Sequence, residues 1–351
     1  MSKEEKIKNF NPNSIGDVNN NIFGLPFTVE EASVVLIPVP WDVTVSYSDG
    51  TSNAPESIFN ASLQVDLFDA AIQDAWKIGI AMDEFPSEII ELNKKLRPLT
   101  SEYIDFLANG GDTNSSEEMK SILSKINAGC ISLNNFVKDK SLQFLDKRKI
   151  VGVIGGEHSV PLGLMHALAE KYSDYGILQI DAHADLRDSY EEFEFSHASI
   201  MFNATKISQI SKLVQIGIRD YCEDEFNLIK NSNKKIKTFF DKDIKRALFE
   251  GETWKSIAEN IINELPQNVY ISFDIDGLDP KLCPNTGTPV PGGFELEQIF
   301  YLFEKIAESG KKIIGFDLNE VGTSETEWDE SVAARIIYKL SNITAKTQGF
   351  K

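Results

Sequence analysis

Cysteine is nearly absent. Cys130, Cys222 and Cys283 are the three in 351 residues, widely separated and without a CxxC pair, which excludes a disulfide scaffold and points to a reducing compartment. Positive charge is also short: 35 Lys and Arg against 54 Asp and Glu leave a net charge of -19. That balance excludes a nucleic-acid or anionic-membrane surface as the partner and suits a small cationic substrate. No apolar run is long enough to cross a bilayer, and the N-terminus, MSKEEKIKNFNPNS, lacks an apolar signal core. A cytoplasmic location is therefore expected. Repeats and low-complexity segments are missing as well.

What is present is apolar content, 42% of the chain, enough for one large core. Residues 1–30 carry few periodic apolar positions and read as an arm wrapping the domain or a neighbouring subunit. Residues 31–351 read as a single catalytic domain. Its first strand, Ser33–Pro40, precedes a polar loop, Trp41–Thr51, and Pro55 opens a helix. The signal weakens from Pro86, and residues 86–145 are expected as a surface excursion carrying a helix at 117–137 behind the turn cluster Gly110–Ser116. From residue 150, strand-like runs at 150–154, 175–180, 213–218, 236–240, 269–273 and 313–317 alternate with helical segments in most intervals. That cadence predicts a mostly parallel sheet with helices on both faces.

Chemistry clusters at the strand ends. The run Tyr175–Ile180 leads into Asp181-Ala182-His183-Ala184-Asp185, where alternation is expected to project both aspartates and the histidine to one side. Ile150–Ile154 leads into Gly155-Gly156-Glu157-His158-Ser159, and Val269–Phe273 into Asp274-Ile275-Asp276. Any one of these is an ordinary polar turn. Together, His158, Asp181, His183, Asp185, Asp274 and Asp276 place four carboxylates and two imidazoles at one edge of one sheet. Four negative charges balance two divalent cations, and an oxygen-rich set of this kind suits Mn²⁺-like ions.

GGEHS at 155–159, DAHADLR at 181–187, SHAS at 196–199 and SFDIDGLDP at 272–280 resemble, in that order, the arginase/agmatinase ureohydrolases, over about residues 33–342. The resemblance implies a three-layer α/β/α fold with a mostly parallel eight-stranded sheet, two Mn²⁺ ions per chain, and hydrolysis of a guanidino group to urea. It implies that His158 and Asp185 belong to one ion, His183 and Asp276 to the other, and that Asp181 and Asp274 touch both. It also implies that His197 carries protons, that Glu320 pairs with the substrate's guanidinium, and that the chain assembles as a homotrimer or homohexamer. The chemistry is consistent with this set: a guanidinium carbon is resonance-stabilised, so neutral water attacks it too slowly, and divalent ions acidify water near neutral pH. His166 has no role in this scheme.

The substrate follows from smaller features. Arginases carry an Asn-containing loop after DxHxD, whereas this chain has Leu186-Arg187-Asp188-Ser189-Tyr190-Glu191-Glu192. Formimidoylglutamase-type chains have Ser-Gly in place of Ser196-His197. The segment Asn285–Gly293 and DAHADLR resemble the agmatinase branch, whose substrate is a guanidino-alkylamine without a carboxylate. Two departures from its pattern are Val321-Gly322-Thr323 after Glu320, in place of Val-Asn-Pro, and Ala54 in place of glycine before Pro55. The arm, Trp41 and the 86–145 segment also resemble agmatinase-like proteins that hydrolyse free guanidine and prefer Ni²⁺, which is the alternative. A metal-binding homologue without activity is a more distant one.

Overall fold

The computed structural model describes residues 2–350. Its strands are Val34–Val39 (β1), Ile80–Met82 (β2), Ile150–Gly155 (β3), Tyr175–Ile180 (β4), Ile210–Ile216 (β5), Ile236–Phe239 (β6), Asn268–Asp274 (β7) and Lys312–Asn319 (β8). They form one sheet in the order β2-β1-β3-β8-β7-β4-β5-β6, and all the pairings are parallel. All but β2 coincide with the apolar runs. β2 is a three-residue edge strand, too short to leave a periodic signal.

A parallel sheet must be covered on both faces, and its strands are correspondingly apolar throughout. β1 shows the division: Val34 and Leu36 enter one hydrophobic cluster, while Val35, Ile37 and Val39 enter the other. Helices Leu296–Glu308 and Trp328–Thr347 complete the first cluster. Helices Ser87–Ala108, Glu117–Asp146 and Leu162–Lys171 complete the second. The result is the three-layer α/β/α arrangement.

Residues 86–145 differ from a surface excursion. They form most of two long helices, and the second buries Ile126, Cys130, Leu133 and Val137 in the core. The weak periodicity of the first helix has a cause: Pro98 lies inside it, and its buried positions include the polar Asn93, Thr100 and Tyr103. The N-terminal segment is likewise more structured than an extended arm. Ser2 caps a short helix, Lys3–Asn9, through a capping box with Glu5, and Ile22, Phe23, Leu25 and Phe27 are buried in the first cluster. Among the described residues, no helix is long and apolar enough to cross a membrane.

β7 and β8 insert between β3 and β4, so the C-terminal ends of β3, β8, β7 and β4 stand side by side. Open parallel sheets bind ligands outside those ends, where the strand order reverses.

Candidate metal centre and pocket

His158 follows β3 through a turn that only glycine permits: a Cβ on Gly156 would lie 1.8 Å from the Trp41 carbonyl oxygen. The imidazole is buried, and its Nε2 meets Ser272 Oγ at 2.9 Å. Its Nδ1 faces Asp185 Oδ2 at 3.0 Å, Asp181 Oδ2 at 3.1 Å and Asp274 Oδ2 at 3.3 Å, yet is aligned for a hydrogen bond with none of them. The other imidazole, His183, points Nδ1 at Asp276 Oδ2, 2.9 Å away, and at Asp181 Oδ1, 3.7 Å away.

Three of the four carboxylates are oriented by hydrogen bonds from neighbouring groups. Asp276 Oδ1 accepts from the Ala182 N–H at 2.9 Å, and Asp274 Oδ1 accepts from the Asp276 N–H at 2.9 Å. Asp181 takes the His183 N–H at 2.6 Å and Gln179 Nε2 at 2.8 Å. Gln179 is fixed in turn by Gln215 at 2.7 Å, and Gln215 by Thr238 at 2.7 Å.

Strand alternation does not produce this convergence. β4 ends at Ile180, and Asp185 sits in the left-handed region at φ 54°. Its carbonyl accepts from Met201 and Phe202 N–H at 3.0 and 3.1 Å, tying the loop to the next helix. Asp276 likewise lies on a 3₁₀ turn, Ile275–Gly277, after β7.

Two triads of donors result, His158–Asp181–Asp185 and Asp181–His183–Asp276, each with its ligand atoms within 4.8 Å of one another. Asp181 belongs to both. Asp274 belongs to neither triad, although its Oδ2 faces His158. Burial and the neighbouring Asp185 and Asp276 push the Asp181 carboxyl up to about 7, and burial with Asp276 and Asp181 pushes Asp274 well above the usual carboxylate range. Charge so crowded is unfavourable without compensation, and hard divalent cations provide it. The residues therefore fit a pair of cations.

A cavity of about 530 Å³ opens over this cluster. Glu320, directly after β8, lines it in a left-handed backbone conformation at φ 60°. Glu320 Oε1 accepts the His158 N–H at 2.7 Å, and among the described residues no hydrogen bond reaches Oε2. Burial, with Glu157 nearby, pushes this carboxyl up to about 8, so a cation in the cavity would favour its charged form. The departure at Gly322 has a steric reason: a Cβ there would lie 1.8 Å from the Asn285 carbonyl oxygen.

His197 starts the 3₁₀ turn His197–Ser199 and lines the same cavity. Burial holds its imidazole down to about 4, so it is neutral near pH 7. Tyr190 meets it edge-on at 6.0 Å between centroids, and Arg187 stacks over Tyr190 at 4.9 Å. His166 lies exposed on the Leu162–Lys171 helix, away from this cavity. Sequence reasoning gave no role to Glu157, Thr44, Gln179 or Ser272. Thr44 meets Glu157 and Ser272 meets His158 across 113 and 114 positions, which leaves no local signal, though a carboxylate beside His158 was a hint.

A parallel α/β sheet with a carboxylate and imidazole cluster at its C-terminal edge defines a class of metal-dependent hydrolases. The arginase family model matches residues 32–341, and the chain belongs to that family. It is 29% identical over 309 residues to N(1)-aminopropylagmatine ureohydrolase of Thermus thermophilus, covering 88% of this chain and 89% of the relative. It is 28% identical over 292 residues to an agmatinase of Halalkalibacterium halodurans, with coverage of 83% and 84%. Among solved structures, agmatine ureohydrolase of Thermoplasma volcanium superposes with a TM-score of 0.69 at 23% identity, over 98% of both chains.

Proposed function

We propose that this chain hydrolyses the guanidino group of an agmatine-type guanidino-alkylamine, releasing urea and a diamine, with two divalent ions, Mn²⁺ by preference, held in the cluster. His158 and Asp185 would hold one ion, His183 and Asp276 the other, with Asp181 and Asp274 touching both. The observation that carries the reading is Asp181, one carboxylate shared by two ligand triads beneath a cavity whose wall carries Glu320. The bound ions would supply an acidified water as nucleophile.

The chain's own residues do the rest. Glu320, fixed through Oε1 by His158, offers Oε2 to the planar guanidinium and orients its carbon towards the cluster. His197, neutral and at the cavity wall, takes up a proton and delivers it to the departing amine nitrogen. Relatives named N(1)-aminopropylagmatine ureohydrolase and agmatinase favour a substrate with an alkylamine tail over the nickel-dependent alternative.

The test is urea release from agmatine, arginine, guanidinobutyrate and free guanidine after loading with Mn²⁺ or Ni²⁺. Agmatine with Mn²⁺ is the expected best pair, and preference for free guanidine would overturn the substrate reading. Glu320→Gln should lower kcat and weaken guanidino inhibitors by roughly 10- to 100-fold, because a charge-assisted pair becomes a neutral one. Normal inhibitor binding by that variant would place the guanidinium elsewhere.

A further inference from the structure

The loop after β1 is clamped from two sides. Above it, the helix Ser87–Ala108 supplies Asn93, which exchanges hydrogen bonds with Asp42 at 2.9 Å in both directions. Arg97 on the same helix donates to the Val43 and Val45 carbonyls at 3.2 and 2.6 Å. Asp42 also gathers Gly50 N–H at 3.0 Å and Ser52 Oγ at 2.9 Å. Thr44 sits between these grips, and it is fully buried.

Below the loop lies Glu157, a carboxylate that is also fully buried. One of its oxygens accepts the Thr44 N–H at 2.7 Å, and the other accepts the Thr44 hydroxyl at 2.7 Å and the Ser159 hydroxyl at 2.5 Å. Burial pushes this carboxyl up, against the three donors, which favour the ionised form that accepts from all of them. An ionised carboxylate only accepts, so in that form the Thr44 hydroxyl proton is committed to it. The lone pairs of Thr44 Oγ1 then face His197. The His197 backbone N–H donates to them at 3.1 Å, and His197 Nδ1 lies 3.5 Å away. Ser196 Oγ is the other hydroxyl near Nδ1, at 3.4 Å, and it accepts the Ala198 N–H at 3.2 Å.

Resting on the assignment of His197 as proton carrier, we propose that Thr44 is its positioning residue: held by Glu157 as a pure acceptor, Thr44 Oγ1 keeps the imidazole proton on Nδ1. The other ring nitrogen, Nε2, then carries the lone pair that works in the cavity. The proton it takes up is the one it hands to the leaving amine, so the ring returns to the neutral Nδ1–H form. This also gives the Ser87–Ala108 helix a role, since Asn93 and Arg97 keep Thr44 from moving away from Glu157.

The experiment compares Thr44→Val and Thr44→Ser, alone and combined with His197→Asn, in metal-loaded protein. Valine matches threonine in shape and lacks the oxygen, whereas serine keeps the oxygen and loses a methyl. A packing role predicts that valine is tolerated and serine is not. The positioning role predicts the reverse: Thr44→Val lowers kcat by roughly 10- to 100-fold at unchanged KM and metal content, as expected for a lost hydrogen bond beside a charged transition state, while Thr44→Ser stays within about threefold. In the His197→Asn background, Thr44→Val should cost nothing further, since its target is gone. Wild-type kcat in Thr44→Val, or an equal loss in both backgrounds, would overturn the proposal.

If the wild type releases urea from no guanidino compound, the functional reading falls, and the tautomer decides this one separately. Ring ¹⁵N shifts of His197 in Zn²⁺-loaded protein, assigned by the loss of its signals in His197→Asn, should show Nδ1–H in the wild type and a shift towards Nε2–H in Thr44→Val. The same tautomer in both would reject the role for Thr44.

Discussion

Asp181→Ala is expected to abolish urea release and to prevent retention of either divalent ion. Asp181 is the one side chain common to both ligand triads, and its oxygens face His158 at 3.1 Å and His183 at 3.7 Å. Removing it withdraws a ligand from each position and leaves Gln179 Nε2 with one acceptor, the His183 carbonyl at 3.2 Å, in place of two. The loss in metal affinity should exceed the roughly 10- to 100-fold typical of an outer hydrogen-bonding partner. Equilibrium dialysis of the variant against Mn²⁺ measures it directly. Retention of one ion at wild-type affinity would show that the triads are independent and that Asp181 does not link them.

His197→Asn should fail differently. The side chain lies at the cavity wall, in neither triad, and no carboxylate of the cluster bonds to it. Asparagine keeps a polar group of similar reach and cannot take up and release a proton near neutral pH. Urea production should therefore drop by about 10²- to 10⁴-fold in kcat, with metal content and inhibitor affinity close to wild type. Near-wild-type kcat would remove His197 from the mechanism, and lost metal would make it a ligand. The two substitutions thus separate holding the ions from moving the proton.

The strands and the ligand motifs were legible because both are short-range patterns. A fully apolar run identifies a strand buried on both faces, and acidic or imidazole residues immediately after it must emerge at the sheet's C-terminal edge. Alternation nevertheless gave the wrong reason for convergence at Asp185, where a left-handed residue, anchored by Met201 and Phe202, turns the side chain inward. The Ser87–Ala108 helix was obscured because it buries polar groups that grip loops: Asn93 on Asp42, and Tyr103 on Thr113 and Glu192. Such a stripe has no apolar period to detect. The link from Glu157 to Thr44 spans 113 positions, and only the fold brings those residues together. Gly322 departed from the family pattern for a reason that its neighbours in sequence do not show, the close passage of Asn285.

The pair of ligand triads sharing Asp181 is the feature on which the proposed function depends, and metal stoichiometry tests it most directly. Protein loaded to saturation and freed of excess metal should carry two divalent ions per chain by elemental analysis, and Asp276→Ala should fall below two, because Asp276 Oδ2 and His183 Nδ1 converge within 2.9 Å on the second position. One ion per chain in the wild type, unchanged by Asp276→Ala, would contradict it.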